Sequence, residues 1–248
     1  MIQRSLFAIL VVVGGAFGGA LFSVPLSSAI QKIPGVSEIP WFNTLTDRAV
    51  IINKTEQVVV EQSEAIDRAR AKVVPALVAV TSLRDGVVLA SGQGMTVGSD
   101  GLVLVRREWI AAGSDTISVT WNTTTADARM VKQSEKDGLV LLKVDATNLP
   151  VVSLANVEER LGSFVFLIGL RQATGGQRAP FVNAGIVKSV EGKIMTTNIG
   201  EEFQGATGAP LVSLTGEVVG IGAIDSSGHV FAVAASAIRD FLYNEQTP

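Results

Sequence analysis

The sequence predicts an all-β chain that closes with one short helix. Strand-length apolar runs recur roughly every ten residues from position 87 onward, most of them parted by Gly, Ser, Asp or Asn. They form two sets of six, at 87–90, 92–97, 101–105, 116–121, 125–131 and 138–144, then at 164–168, 181–190, 193–198, 209–212, 217–224 and 230–233. That spacing and its turn signals argue for barrels or a sandwich rather than βαβ units. The last ten or so residues before the tail, 234–243, read as a helix with Ala235, Ile238 and Leu242 on one stripe.

Composition narrows the function classes. At 248 residues and 47% hydrophobic, the chain can bury one domain-sized core with material to spare. Its 20 basic and 23 acidic residues leave a net charge of −3, and no basic run gives a footprint for nucleic acid. With no cysteine there are no disulfides or thiolate metal sites, and the single histidine, His229, excludes His-rich zinc sites. No cofactor or metal is expected.

The amino-terminal segment predicts a membrane anchor. Residues 6–22 are apolar or glycine, and reaching residue 26 brings a helix to about the ~30 Å of a hydrocarbon core. A cleavable signal is the rival, since Ser27-Ser28-Ala29 offers small residues for cleavage. The length of the apolar run and the mixed spacer after it favour an anchor over residues 1–29. Arg4 precedes the helix and no positive charge follows until Lys32, which points the amino terminus inward and the rest out of the cytoplasm. Gly14, Gly15, Gly18 and Gly19 make two overlapping G-x-x-x-G pairs of the kind that let two helices pack, although glycine is common in membrane helices anyway. Residues 30–72 read as a juxtamembrane linker, punctuated by Pro34 and Pro40, with a short strand at 58–60 and a helix at 63–72 capped by Ser63.

Six segments then carry a resemblance. Gly205-Ala206-Thr207-Gly208-Ala209-Pro210-Leu211-Val212, followed by Leu214-Thr215-Gly216-Glu217-Val218-Val219-Gly220-Ile221, reads as a tight loop feeding two paired strands. It resembles the nucleophile loop of trypsin-like serine proteases of the HtrA type, G-N-S-G-G-P-L and then a D/G-E-V-I-G-I strand. Gly92 to Val97 is similar to the family's G-S-G-x-I-I, Gly101 to Ile110 to its G-Y-I-L-T-N-N-H-V-V, and Asp137 to Asp145 to its T-D-L-A-L-L-K-I-D. Val73 to Val80 resembles the family's lead-in K-V-S-P-S-V-V-x-I, and 169–187 its G-N-P … G-I-V segment. The resemblance implies two six-stranded antiparallel β-barrels over residues 73–248.

By the same resemblance, the Ser, His and Asp places of a catalytic triad hold Thr207, Glu108 and Gly138, and Gly205 and Thr207 offer oxyanion-hole-like backbone N–H groups. Triad chemistry needs a hydroxyl, an imidazole that takes and returns its proton, and a carboxylate that fixes the imidazole's tautomer. Glu108 is a weak base for an alcohol, and Gly138 has no side chain to orient it. Asp137, read as one residue along a strand, faces the other way. His229 follows the Ser226-Ser227-Gly228 turn and reads as a solvated loop residue. Thr207 therefore reads as a small polar residue in a tight turn.

These readings predict a membrane-anchored, extracytoplasmic pseudoprotease acting as a binding or scaffolding module. A divergent peptidase with residual or partner-completed activity is the alternative, and a purely structural cell-envelope protein is a third. Expected partners are the membrane through residues 6–26, a protein or peptide at the inter-barrel crevice, and a second copy of the chain. No PDZ-like domain is expected after residue 248. Whether Arg106, Glu108 and Trp109 fill the crevice is the question posed to the structure.

Overall fold

The computed structural model describes residues 63–157, 161–172 and 178–243. The anchor segment 1–29 and the strand read at 58–60 lie outside the described residues. Among those described, no helix is long and apolar enough to cross a membrane.

Helix α1 spans 63–73. Ala65, Ala69 and Val73, four residues apart, lie on one face and are buried. Its outer face carries Arg68–Glu64 and Arg70–Asp67 ion pairs, each worth about 0.2–0.5 kcal/mol. Pro75 ends it in a 3-10 turn, Val74–Ala76, which feeds the first strand. α1 and the barrels belong to one compact unit, Gln62–Pro248.

The first barrel comprises β1 (Leu77–Arg84), β2 (Val87–Gly98), β3 (Leu102–Arg106), β4 (Thr116–Trp121), β5 (Thr124–Ser134) and β6 (Leu139–Val144), closed in the order β1-β2-β3-β6-β5-β4. The second comprises β7 (Phe164–Gln172), β8 (Arg178–Glu191), β9 (Ile194–Gly200), β10 (Pro210–Ser213), β11 (Val218–Ile224) and β12 (His229–Ala234), closed as β10-β11-β12-β9-β8-β7. Every ladder between named strands is antiparallel. Helix α2 (Ala235–Tyr243) follows.

Each barrel has its own core, and a third apolar cluster joins them. Val78, Val80, Val103, Val105, Val140, Leu142 and Val144 alternate along β1, β3 and β6 to fill the first barrel. Val165, Leu167, Leu211, Val219, Val230 and Ala232 fill the second. Between them, Leu104 and Leu139 meet Phe166, Ile221, Ile238, Phe241 and the α1 residues Ala69 and Val73. The unbroken apolar runs Leu102–Val105 and Leu139–Leu142 follow from this, because β3 and β6 are covered on both faces.

Three details correct the sequence reading. The runs at 87–90 and 92–97 are one strand, β2, and the lead-in at 77–84 is a strand of its own. Six strands close the first barrel, but with different members. Gly92 does not punctuate, because a Cβ there would lie 2.1 Å from the Trp109 indole. The helical stripe is also richer than read. Ala235 and Ile238 are buried as expected, but Ala237 and Phe241 complete the face and Leu242 is only partly covered. Asp137 lies in the turn before β6 rather than on a strand.

Candidate functional site at the barrel seam

On the first barrel, β3 pairs with β6 so that Arg106 faces Leu139. This sets Arg106 beside Gly138, whose φ of +62° suits a residue without a Cβ. A 3-10 turn, Arg107–Trp109, then carries Glu108 and Trp109 over the barrel's rim. Arg106 is buried, and a Cβ on Gly138 would lie 3.0–3.3 Å from its guanidinium atoms. Its Nη1 donates to the Asp137 carbonyl at 3.0 Å and its Nη2 to Glu108 Oε1 at 2.9 Å. Arg106 Nε is buried without a hydrogen-bond partner. The Asp137 carboxylate accepts the Ser134 hydroxyl at 2.8 Å and so is committed within its own turn. The first-barrel corner holds a guanidinium bracketed by a carboxylate and a carbonyl.

On the second barrel, a 3-10 turn, Gln204–Ala206, leads into Thr207, which is buried. The Thr207 hydroxyl accepts the Ile224 N–H at 3.2 Å, its N–H donates to the Gln204 carbonyl at 3.0 Å, and its carbonyl accepts Trp109 Nε1–H at 2.8 Å. A two-donor oxyanion hole needs that Thr207 N–H pointing outward, and here it closes the turn. The Gly205 carbonyl accepts Gln93 Nε2–H at 2.8 Å, and Gln93 Oε1 accepts the Leu170 N–H at 2.7 Å. Gly208 has φ +93°, and a Cβ on it would stand 2.0 Å from the Gln93 carbonyl oxygen.

Arg106, Glu108 and Gly138 thus meet at one corner, and Trp109 reaches from there across to Thr207. Arg106 is buried on the first barrel, and the Trp109 indole bonds across to the second. His229 is placed elsewhere, at the start of β12 opposite Gly200, with an exposed imidazole 3.8 Å from Asp225. Among the described residues no group of three His, Cys, Asp or Glu is arranged to hold a metal. Sequence reasoning missed the buried Gln93, whose two bonds pin the first barrel to the second. A polar residue between Gly92 and Gly94 inside a strand was its only signal.

Two closed six-stranded antiparallel barrels, a terminal helix and a glycine-bounded turn at their seam define the trypsin-like double-barrel class. The profile described as "Trypsin-like peptidase domain" matches residues 86–221, more than half of the chain, and the chain belongs to that family. Serine protease HTRA1B of Danio rerio is 33% identical over 196 residues, covering 69% of this chain and 39% of that protein. A probable periplasmic serine endoprotease, DegP-like, of Hahella chejuensis is 33% identical over 146 residues, covering 53% of this chain and 29% of that protein. The serine endoprotease from Yersinia pestis superposes with a TM-score of 0.62 at 26% identity, covering 71% of this chain and 64% of that one. These similarities make the chain HtrA-like, and it spans two fifths or less of these two curated relatives' length.

Proposed function

We propose that this protein is a membrane-anchored, extracytoplasmic member of the family without peptidase activity, acting as a binding or scaffolding module at the barrel seam. The observation that carries this reading is the Arg106 guanidinium seated over Gly138 and paired to Glu108. A triad needs an imidazole held by a carboxylate at that corner; the corner holds no imidazole, and its carboxylate, Glu108, is paired to Arg106. Thr207 is buried and its hydroxyl accepts a backbone N–H, with no base bonded to it among the described residues. Losing a working triad costs about 10⁶ in turnover, roughly 8 kcal/mol of transition-state stabilisation. The anchor rests on the apolar run 6–22, extended to residue 26, and the positive charge before it.

Casein turnover by the full chain and its reversions tests the catalytic half of the proposal. Thr207→Ser alone and Glu108→His alone stay at background, because triad members act as a unit. Glu108→His, Gly138→Asp and Thr207→Ser together still leave Arg106 to capture the new carboxylate, so adding Arg106→Asn is the change that opens a route to activity. Titratable peptidase activity in the unmodified chain overturns the proposal. For the anchor, a carboxy-terminal tag in intact spheroplasts should be protease-accessible, and a protected tag contradicts the orientation.

A further inference from the structure

We propose that Glu201, Phe181 and Phe203 form a guanidinium-binding subsite at the seam, closed here by the chain's own Arg171, whose place an arginine side chain of a bound peptide takes. This deepens the reading of the seam as a partner site and rests on it.

Glu201, just past β9, is buried. Its Oε1 lies 3.0 Å from Arg171 Nη2 and accepts the Phe203 N–H at 3.0 Å. A buried carboxylate needs a cation beside it, and one backbone N–H does not neutralise it. The Arg171 guanidinium carbon sits 5.5 Å from the Phe181 ring centroid and 5.4 Å from that of Phe203, inside the ~6 Å over which a ring face attracts a cation. Two phenyl rings and one buried carboxylate suit a planar guanidinium, which stacks and donates in a fixed fork, better than an ammonium.

The cage shares walls with the seam. A Cβ on Gly169 would meet the Phe181 ring at 2.6 Å and Gln93 Oε1 at 2.9 Å, and a Cβ on Gly205 would meet the Phe203 ring at 2.4 Å. It therefore adjoins the Gln93 staple and the turn that holds Thr207. The Arg171 side chain is itself 54% exposed, so solvent reaches the guanidinium in its seat. Exchanging it for another guanidinium leaves Glu201 compensated and both rings covered. Tethering gives Arg171 an effective concentration in the millimolar range, which weakens any outside competitor.

The test titrates the full chain with N-acetyl-arginine amide, and with the lysine and norleucine amides as controls. Arg171→Ala should bind the arginine probe at least about tenfold more tightly than the unmodified chain, once the tethered competitor is gone. The lysine probe should gain less and the norleucine probe nothing, and Arg171→Ala with Glu201→Gln should lose the gain. If Arg171→Ala alone unfolds, refolding by the arginine probe supports the subsite, and unfolding that the probe does not reverse overturns it. A folded Arg171→Ala with no gain, or a gain shared by the norleucine probe or kept without Glu201, also overturns it. Extended peptides separate the two readings. Tightening for the amide without further tightening for an arginine-bearing peptide leaves the subsite standing and removes the partner site. Peptides bound equally with and without arginine do the reverse.

Discussion

The second-barrel half of the seam is fixed from several sides, and the first-barrel half is filled more loosely. Around Thr207 the backbone is fixed from several sides: Gly208 at φ +93° under the Gln93 carbonyl, Gly205 held by Gln93, and the Thr207 hydroxyl bonded to Ile224. Around Gly138 the constraint is looser. Arg106 fills space, but its partner Glu108 is half exposed and its Nε has no bond. The difference teaches which half of a catalytic site is also architecture. The turn that holds Thr207 helps pin the two barrels together through Gln93 and Trp109, whereas the Arg106 corner lies within the first barrel.

Stability measurements can break this contrast. Gly208→Val should have the largest effect, about 3–5 kcal/mol from a disfavoured φ and a forced contact, against about 1–2 kcal/mol for Thr207→Ala, which strands one N–H. Equal losses in chemical denaturation would mean that the turn is unconstrained. Gln93→Leu comes next, at about 2–4 kcal/mol, since it strands the Gly205 carbonyl and the Leu170 N–H. A loss under about 0.5 kcal/mol would show that the staple holds nothing. On the other half, Arg106→Met should change stability by less than about 1 kcal/mol, because it keeps the volume while Glu108 returns to water. Arg106→Ala should cost more than Arg106→Met through the cavity it leaves. A large penalty for Arg106→Met would make the first-barrel corner architectural too.

The smallest effect belongs to a turn outside both halves. The His229 and Ser227 backbone N–H groups hold the Asp225 carboxyl below its ordinary pKa. A depressed folded-state pKa contributes stability above the unfolded value and loses it as pH falls through the folded one. Asp225→Asn should therefore be slightly destabilising at neutral pH, and the difference should shrink below the ordinary carboxylate range of about 4. A difference that grows on acidification would contradict the assignment.

The fold was legible where chain-local physics decides it. Strand-length apolar runs parted by turn residues marked β3, β6 and most strands of the second barrel, and Ser63 marked the start of α1. It was misread where a distant residue decides. Gly92 looks like a break until Trp109 is packed on it, and the strand at 77–84 hid behind a proline lead-in. The motifs offered Thr207, Glu108 and Gly138 as triad-like positions by resemblance, and the sequence also made Arg106, Glu108 and Trp109 candidates for the crevice. That a charged Arg106 is buried was not, because its room comes from a missing side chain at Gly138, 32 residues away by number and adjacent only once β3 and β6 pair.

The central claim is that the seam holds no activated nucleophile. A fluorophosphonate probe tests it most directly, incubated with the unmodified full chain beside an active serine protease and read by intact mass. The control should be labelled and this protein should carry no adduct. A stoichiometric adduct mapping to Thr207 would contradict that claim.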